Sequence, residues 1–442
     1  MADSKKADKA GFKPYLGLTF LIGFGFFTMG LMDILYDTYV PIFLGRIFDK
    51  AGINSSTLLG FIMSIDNILA LFLIPIVSVW SDHTRTKIGR RMPYIITLLP
   101  LSAICFSFIP YAAAQSFWAL MLVIVGLNIF KQSVRGPVVA LMPDTIPGEY
   151  RSEANGIINT MGALGAIVST LGLARLMRLN INLPILGNTQ DKIPFPIAGV
   201  LTIIATILVF AFVREKNSDE SAAQEKVPFR KSMKEIAGQK DKSALWILLS
   251  LFFWFVGYQG MVPWAGKMSV DILHMDTANA ALPAGAVGLA QALFAIPTGY
   301  IAHKIGRRKT IRGSLVAISV ILCICSYLSS SSAEALGNNV RFYCFLGMMF
   351  IYGMFWIAVI TNSFPMLWQM SSYGSVGVYT GLYYTFSQAA AIVAPTISGF
   401  LKDIFGGYPV IFIFAVICML IAFLLMGKVT KGEPTEKTVG AN

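Results

Sequence analysis

Charge is what this chain has least of. Of its 442 residues only 13% are Asp, Glu, Lys or Arg and three are His, whereas a soluble domain usually carries about 25% charged residues. A soluble multidomain enzyme is excluded on that ground. The five cysteines (Cys105, Cys323, Cys325, Cys344, Cys418) lie in or beside apolar runs without repeated spacing. They read as small buried hydrophobes, with neither a disulfide framework nor a zinc site. His83, His274 and His303 all fall in or next to loops, so any proton relay must use carboxylates. Alternating apolar and polar strands are missing, which excludes a transmembrane β-barrel. No Ser/His pair or metal-ligand set appears inside the apolar runs. The longest polar stretch, about 30 residues, is too short for a catalytic domain. No enzyme activity, cofactor or metal is expected.

What remains is apolar surface. The chain is 55% hydrophobic with a mean hydropathy of +0.67, which also excludes disorder. That share amounts to the roughly 240 apolar positions that about twelve membrane helices of ~20 residues require. Hydropathy predicts spans near 16–44, 57–80, 93–114, 117–143, 154–177, 195–213, 244–270, 279–302, 313–333, 341–368, 376–401 and 408–427. The net charge of +12 resides in short segments between these runs, so it speaks of membrane topology and not of nucleic acid. With the N-terminus inside, 25 of the 35 Lys and Arg residues fall on the inner side and 8 on the outer. The positive-inside rule then puts both termini in the cytoplasm. The first residues (MADSKKADKAGFKP) lack a small-residue cleavage site and read as a tail, not a signal peptide.

One polar segment, residues 214–243, divides the chain near its middle. The expected organisation is a cytoplasmic tail (1–14), a six-helix bundle (15–213), the linker (214–243), a second six-helix bundle (244–427) and a tail (428–442). A motif recurs across the divide: SDHTRTKIGRR with Gly89, Arg90 and Arg91, and GYIAHKIGRR with Gly299, Gly306, Arg307 and Arg308. Equivalent placement after the second and eighth spans indicates an internal repeat, the signature of transporters whose halves rock about a central site.

Five ionisable residues lie well inside apolar runs: Asp33, Asp37, Asp66, Lys131 and Arg135. Each costs about 2.5–3.5 kcal/mol at mid-membrane on insertion scales, so each is a functional candidate. Asp33 and Asp37 are four residues apart and share a helical face, as do Lys131 and Arg135. Two carboxylates in a poorly solvated cavity repel each other, which makes one a candidate proton carrier, and the basic pair is the natural counter-charge. Fully ionised, the five sum to −1, and one bound proton brings them to zero. The bland alternative is a structural ion-pair network between helices. The second half instead offers amides and aromatics: Trp254, Tyr258, Gln259, Gln291, Asn362, Tyr384 and Gln388. Amides donate to and accept from hydroxyls while aromatic faces cover a sugar ring, so a neutral polyhydroxylated solute suits this set. Interface anchoring and helix tying compete for each residue.

The two GRR loops resemble the signature of the major facilitator superfamily. The first, Asp82 to Pro93, is similar to the glycoside-pentoside-hexuronide:cation symporters and the sucrose transporters, and Arg135 to Gly156 resembles a second run of the sucrose transporters. The resemblance implies an all-α, alternating-access membrane fold and proton- or cation-coupled uptake of an oligosaccharide or glycoside. It also implies a conformational latch drawn from Asp82, Arg85, Gly89, Arg90, Arg91, Asp144, Arg151, Gly299, Gly306, Arg307 and Arg308. Two departures stand out, the first bearing on the ion and the second on the latch, which should be stronger in the first half, at Asp82. The acids that bind sodium in melibiose-type members fall on Ala70 and Ile74, which favours a proton over sodium, and His303 replaces the acid of the second signature. The expected protein is a monomeric symporter for a neutral sugar, in the inner (plasma) membrane. A facilitator, exchanger or exporter of another neutral metabolite is the alternative, ahead of a membrane-embedded sensor or enzyme.

Overall fold

The computed structural model describes residues 12–147, 150–183, 187–215, 241–370 and 376–433. The tails beyond these limits and most of the central linker lie outside the described residues. Among the described residues twelve long helices follow one another: α1 Lys13–Ala51, α2 Ser56–His83, α3 Met92–Gln115, α4 Phe117–Thr145, α5 Arg151–Ile167, α6 Pro194–Phe212, α7 Ser243–Asp271, α8 Leu282–Ile305, α9 Arg307–Leu328, α10 Asn338–Trp368, α11 Val376–Phe405 and α12 Pro409–Met426. A two-stranded hairpin, β1 Asn182–Leu183 with β2 Gly187–Asn188, stands between α5 and α6. Helices dominate because hydrocarbon offers backbone N–H and C=O groups no partner, so each must be paired within its own segment. Apolar side chains accordingly cover the outside, with Leu122 76% and Ile296 86% exposed.

Three helices depart from the spans that hydropathy predicts; the first, α1, runs seven residues past its predicted end, to Ala51. The fifth changes winding, passing from α-helix into a π-turn at Val168–Gly172 and a 3-10 turn at Leu173–Arg178. Within the π-turn, the Ser169 hydroxyl donates to the Leu31 carbonyl of α1 at 2.6 Å. The ninth begins at Arg307 instead of near residue 313, so the repeated arginines occupy its first turn and not a loop.

The chain forms two compact units, Met1–Gly52 with Ile65–Ala222 and Asp276–Ala281, and Ile53–Ser64 with Ala223–Met275 and Leu282–Asn442. In the first, the core joins Ile22 and Met29 of α1 to Ile95 and Leu99 of α3, Val134, Val138 and Leu141 of α4, and Ala154 and Ile158 of α5. There α1 and α5 approach until backbones touch: a Cβ on Gly30 would stand 2.0 Å from the Gly162 carbonyl oxygen, and one on Gly165 2.2 Å from that of Phe27. The second unit uses the same device. Gly353 of α10 meets the Val287 carbonyl of α8, and Gly60 and Gly399 let the start of α2 lie on α11. Small residues substitute here for the hydrophobic drive that lipid removes.

Substituting Gly30→Val should therefore cost about 3 kcal/mol or more through overpacking and abolish monodisperse protein on size exclusion. Gly156→Ala, whose Cβ meets nothing within 4 Å, should leave yield and melting unchanged.

Candidate functional site

Two clusters in the first unit gather most of the charged residues expected to function. In its interior, Asp33 of α1 accepts from Lys131 Nζ of α4 at 2.5 Å, with side chains 34% and 6% exposed. The spacing of each pair along its own helix sets this up, because residues four apart share a face. Asp37 of α1, Asp66 of α2 and Arg135 of α4 complete the cluster, each within electrostatic reach of Asp33 and Lys131. The structure thus gathers all five expected charges. They differ in surroundings. Arg135 is exposed and Asp37 and Asp66 are half-buried. Asp66 Oδ1 accepts from the backbone and side-chain N–H groups of Asn67 at 2.6 and 2.7 Å. Tyr36, wholly buried, places its ring 5.2 Å below Lys131 Nζ, and its hydroxyl accepts from Asn128 Nδ2 at 3.0 Å. Tyr36, Asn128 and the neighbouring Gln132 belong to this cluster, although sequence reasoning, which weighed formal charge alone, passes over them.

The second concentration lies between the ends of α2, α3 and α4. Arg90 grips Asp144 with two bonds, Nη2 to Oδ1 at 2.6 Å and Nε to Oδ2 at 3.1 Å. Arg91 Nε reaches the same carboxylate at 2.9 Å and its Nη groups donate to Ser81, Asp82 and the Ser78 carbonyl. Asp144, 8% exposed, is the acid both arginines share, whereas Asp82, 49% exposed, serves Arg91 alone. Glu215 caps α3, accepting from the backbone N–H groups of Arg90, Arg91 and Met92 at 2.7, 2.9 and 2.7 Å. Gly89, at φ 112°, brings the chain into that cradle, and a Cβ there would stand 2.6 Å from the Glu215 carboxyl. The repeat is visible in the second unit. Gly306, at φ 96°, precedes α9, and Glu433 accepts from the N–H groups of Arg307 and Arg308 at 2.8 Å each. With no acid at 303, Arg308 donates instead to the carbonyls of Met426 and Gly427.

Of the other expected latch residues, Arg85 donates to the Asp82 and Thr84 carbonyls, and Arg151 to those of Pro143 and Ile146 at the end of α4. Gly299 faces open space.

The expected solute-binding residues all stand on α7, α8, α10 and α11. Tyr258 stacks on Trp356 (4.6 Å between centroids, 12° between planes), and Tyr352 extends the stack at 6.0 Å and 18°. Trp254 is enclosed, and Asn362 donates its Nδ2 to the Ala358 carbonyl at 2.8 Å. Tyr258, Gln259, Gln291, Gln388 and Tyr384 keep accessible surface. Lys267 and Arg341, two of the eight basic residues counted on the outer side, are both buried. Lys267 pairs with Asp271 at 2.5 Å, where the Tyr408 hydroxyl also donates, and Arg341 donates to the Leu328 and Ser330 carbonyls. Among the described residues no His, Cys, Asp and Glu group has the makings of a metal site. A surface cavity of about 440 Å³ at the start of α7 is lined by Asp241, Lys242, Ser243, Trp246, Lys428 and Thr430. Hydrogen bonds from Ser243 hold the Asp241 carboxyl down at about 2.

The model of the Major Facilitator Superfamily matches residues 22–395 and 273–441. An isoprimeverose transporter of Lactiplantibacillus pentosus is 26% identical over 306 residues, which cover 66% of this chain and 60% of that protein's length. In fold, the chain is similar to a mutant of the nucleoside transporter NupG (TM-score 0.70, 13% identity, 93% of this chain and 100% of that one). It is likewise similar to a D-xylose-proton symporter (TM-score 0.67, 14% identity, 94% and 98%).

Removing the shared acid by Asp144→Asn leaves two guanidinium groups in one site without their carboxylate. The melting of detergent-solubilised protein should fall by the equivalent of about 3 kcal/mol. Asp82→Asn, at a half-exposed pair, should cost under about 1 kcal/mol.

Proposed function

The chain belongs to the major facilitator superfamily, and we propose that it is a proton-coupled symporter that imports a neutral sugar, a disaccharide or other glycoside, by alternating access. The observation that carries this reading is the Asp33–Lys131 ion pair inside the first unit, with Asp37, Asp66 and Arg135 around it. An ion pair at membrane depth is a two-state element. While Asp33 is ionised, Coulomb attraction pins α1 to α4, and a proton on Asp33 releases α1 from the lysine. The formal sum of the five charges favours one proton per cycle, because −1 becomes zero. An alternation between a pinned and a released helix pair is what coupling requires: the bound ion changes which arrangement is stable.

The sugar is supported by the relative that transports isoprimeverose and by the amides and aromatic rings of the second unit. Tyr258 is the strongest candidate for a platform, since the stack behind it fixes its plane. Gln259, Gln291 and Gln388 supply amides of the kind that exchange hydrogen bonds with hydroxyls. Arg90, Arg91 and Asp144 form the latch at the ends of α2, α3 and α4, with Arg307 and Arg308 as its counterpart in the second repeat. The excess of Lys and Arg on one side supports cytoplasmic termini in an inner (plasma) membrane, and a monomer suffices for the transport cycle.

The test is uptake by a transport-deficient host of a radiolabelled panel that includes isoprimeverose and D-xylose, with external pH and sodium varied independently. At least one saturable neutral sugar is expected, with uptake that rises as external pH falls at fixed sodium. Asp33→Asn and Asp37→Asn are each compared with the parent: the carrier's variant loses accumulation against a gradient and keeps counterflow exchange. Intact accumulation in both variants, or uptake confined to charged solutes, would overturn the reading.

A further inference from the structure

Behind the Asp33–Lys131 pair the hydrogen-bond inventory does not close. The Lys131 ammonium has three N–H groups. One goes to Asp33 Oδ1 at 2.5 Å, and the ring of Tyr36 lies 5.2 Å away. Lys131 is 5% exposed, so bulk water does not serve the remainder. On α4, Asn128, nearly one turn before the lysine, is 0% and Gln132, directly after it, 1% exposed, and Asn128 Oδ1 and Gln132 Oε1 have no hydrogen-bond partner among the described residues. The orientation of Asn128 is set by its Nδ2, which donates to the Tyr36 hydroxyl. Spare ammonium donors and two orphan acceptors therefore lie within about one helical turn of each other, without a direct bond between them.

A buried acceptor left unmade costs about 1–3 kcal/mol, and protein interiors meet such groups with ordered water that makes two to four hydrogen bonds. Burial decides against a sugar hydroxyl as the occupant, since neither amide offers surface to a solute. We propose that Asn128 Oδ1 and Gln132 Oε1 hold ordered water against the Lys131 ammonium, and that this hydration site supports the lysine when Asp33 takes up its proton. Asn128 and Gln132 are then positioning residues for coupling, acting through Lys131. The charged and titratable groups around that lysine are Asp33, Tyr36 and Asp37 of α1, Asp66 of α2 and Arg135 of α4. The coupling half of the proposal rests on the proton-symport reading, and the hydration half does not.

A melting cycle on the full-length protein tests the hydration half. Gln132→Leu is compared in the parent and in an Asp33→Asn/Lys131→Met background, with Gln132→Met as a length-matched second variant. A water-holding amide predicts a melting temperature lower by about 2 °C in the parent and no loss in the background that lacks the ion pair. An acceptor that serves nothing is neutral or gains on replacement by an apolar isostere. An unchanged or raised melting temperature in the parent, or equal loss in both backgrounds, overturns the site. The coupling half is read from transport: Gln132→Leu keeps counterflow but loses pH-driven accumulation, and Gln132→Asn recovers part of it. Parental pH-driven accumulation in Gln132→Leu overturns this half. If the parent itself shows no pH-driven uptake, the symport reading has failed and the melting cycle still decides the water site.

Discussion

A charge in hydrocarbon is expensive, at least about 2.5–3.5 kcal/mol on insertion scales, and the interior of the first unit is arranged around that cost. Asp33 and Lys131 offset it by pairing. The pairing ties α1 to α4, brings Tyr36 under the ammonium and holds Asp37 and Asp66 within its field. A pair of this kind responds sharply to a single proton, because neutralising the acid takes from the buried lysine the carboxylate that it bonds directly. Close glycine contacts let α1 lie flush on α5, so the ion pair sits on a helix that backbone contact also holds in place.

The internal repeat is deeper than the recurring GRR triplets. Each unit has a glycine at positive φ, a helix that starts at or just after the following two arginines and a glutamate carboxylate that caps it. Glu215 and Glu433 are 218 residues apart and Gly89 and Gly306 are 217 apart, nearly the same interval. Helix N-termini present unpaired N–H groups and a partial positive charge, and a carboxylate meets both needs. The halves diverge at the arginines. In the first, Asp144 and Asp82 answer them with carboxylates. In the second, where His303 stands in place of an acid, carbonyl oxygens answer Arg308. Neutral carbonyls bind a guanidinium less strongly than a carboxylate does, so the arginines of the first repeat are held the more firmly.

The helices were legible in the sequence because the bilayer penalty acts on composition: an apolar run of twenty residues has few other destinations. The same penalty made Asp33, Asp37, Asp66, Lys131 and Arg135 stand out. The basic pair on the fourth helix was legible as the acids' counter-charge, but which base meets which acid was not, since spacing along one helix reveals only which side chains share a face. Glu215 and Glu433 were illegible for a related reason, as glutamates in polar segments that acquire their role only when a distant helix start comes to them. Lys267 was counted only as an outer-side charge: Asp271, four residues on, was in reach of the spacing rule, whereas only the fold brings Tyr408 to that carboxylate. Asn128 and Gln132 carry no formal charge, so the criterion that found the cluster overlooked them.

The central claim is that a proton moves with the solute through the Asp33–Lys131 pair. The most direct measurement is the electrical current evoked by a pulse of neutral sugar on proteoliposomes adsorbed to a solid-supported membrane, with sodium absent. The account predicts an inward positive current that depends on sugar and on external acidity in the parent protein. In a Lys131→Met variant that still binds sugar, the current should vanish. A current that requires sodium, or one that persists unchanged in that variant, would contradict it.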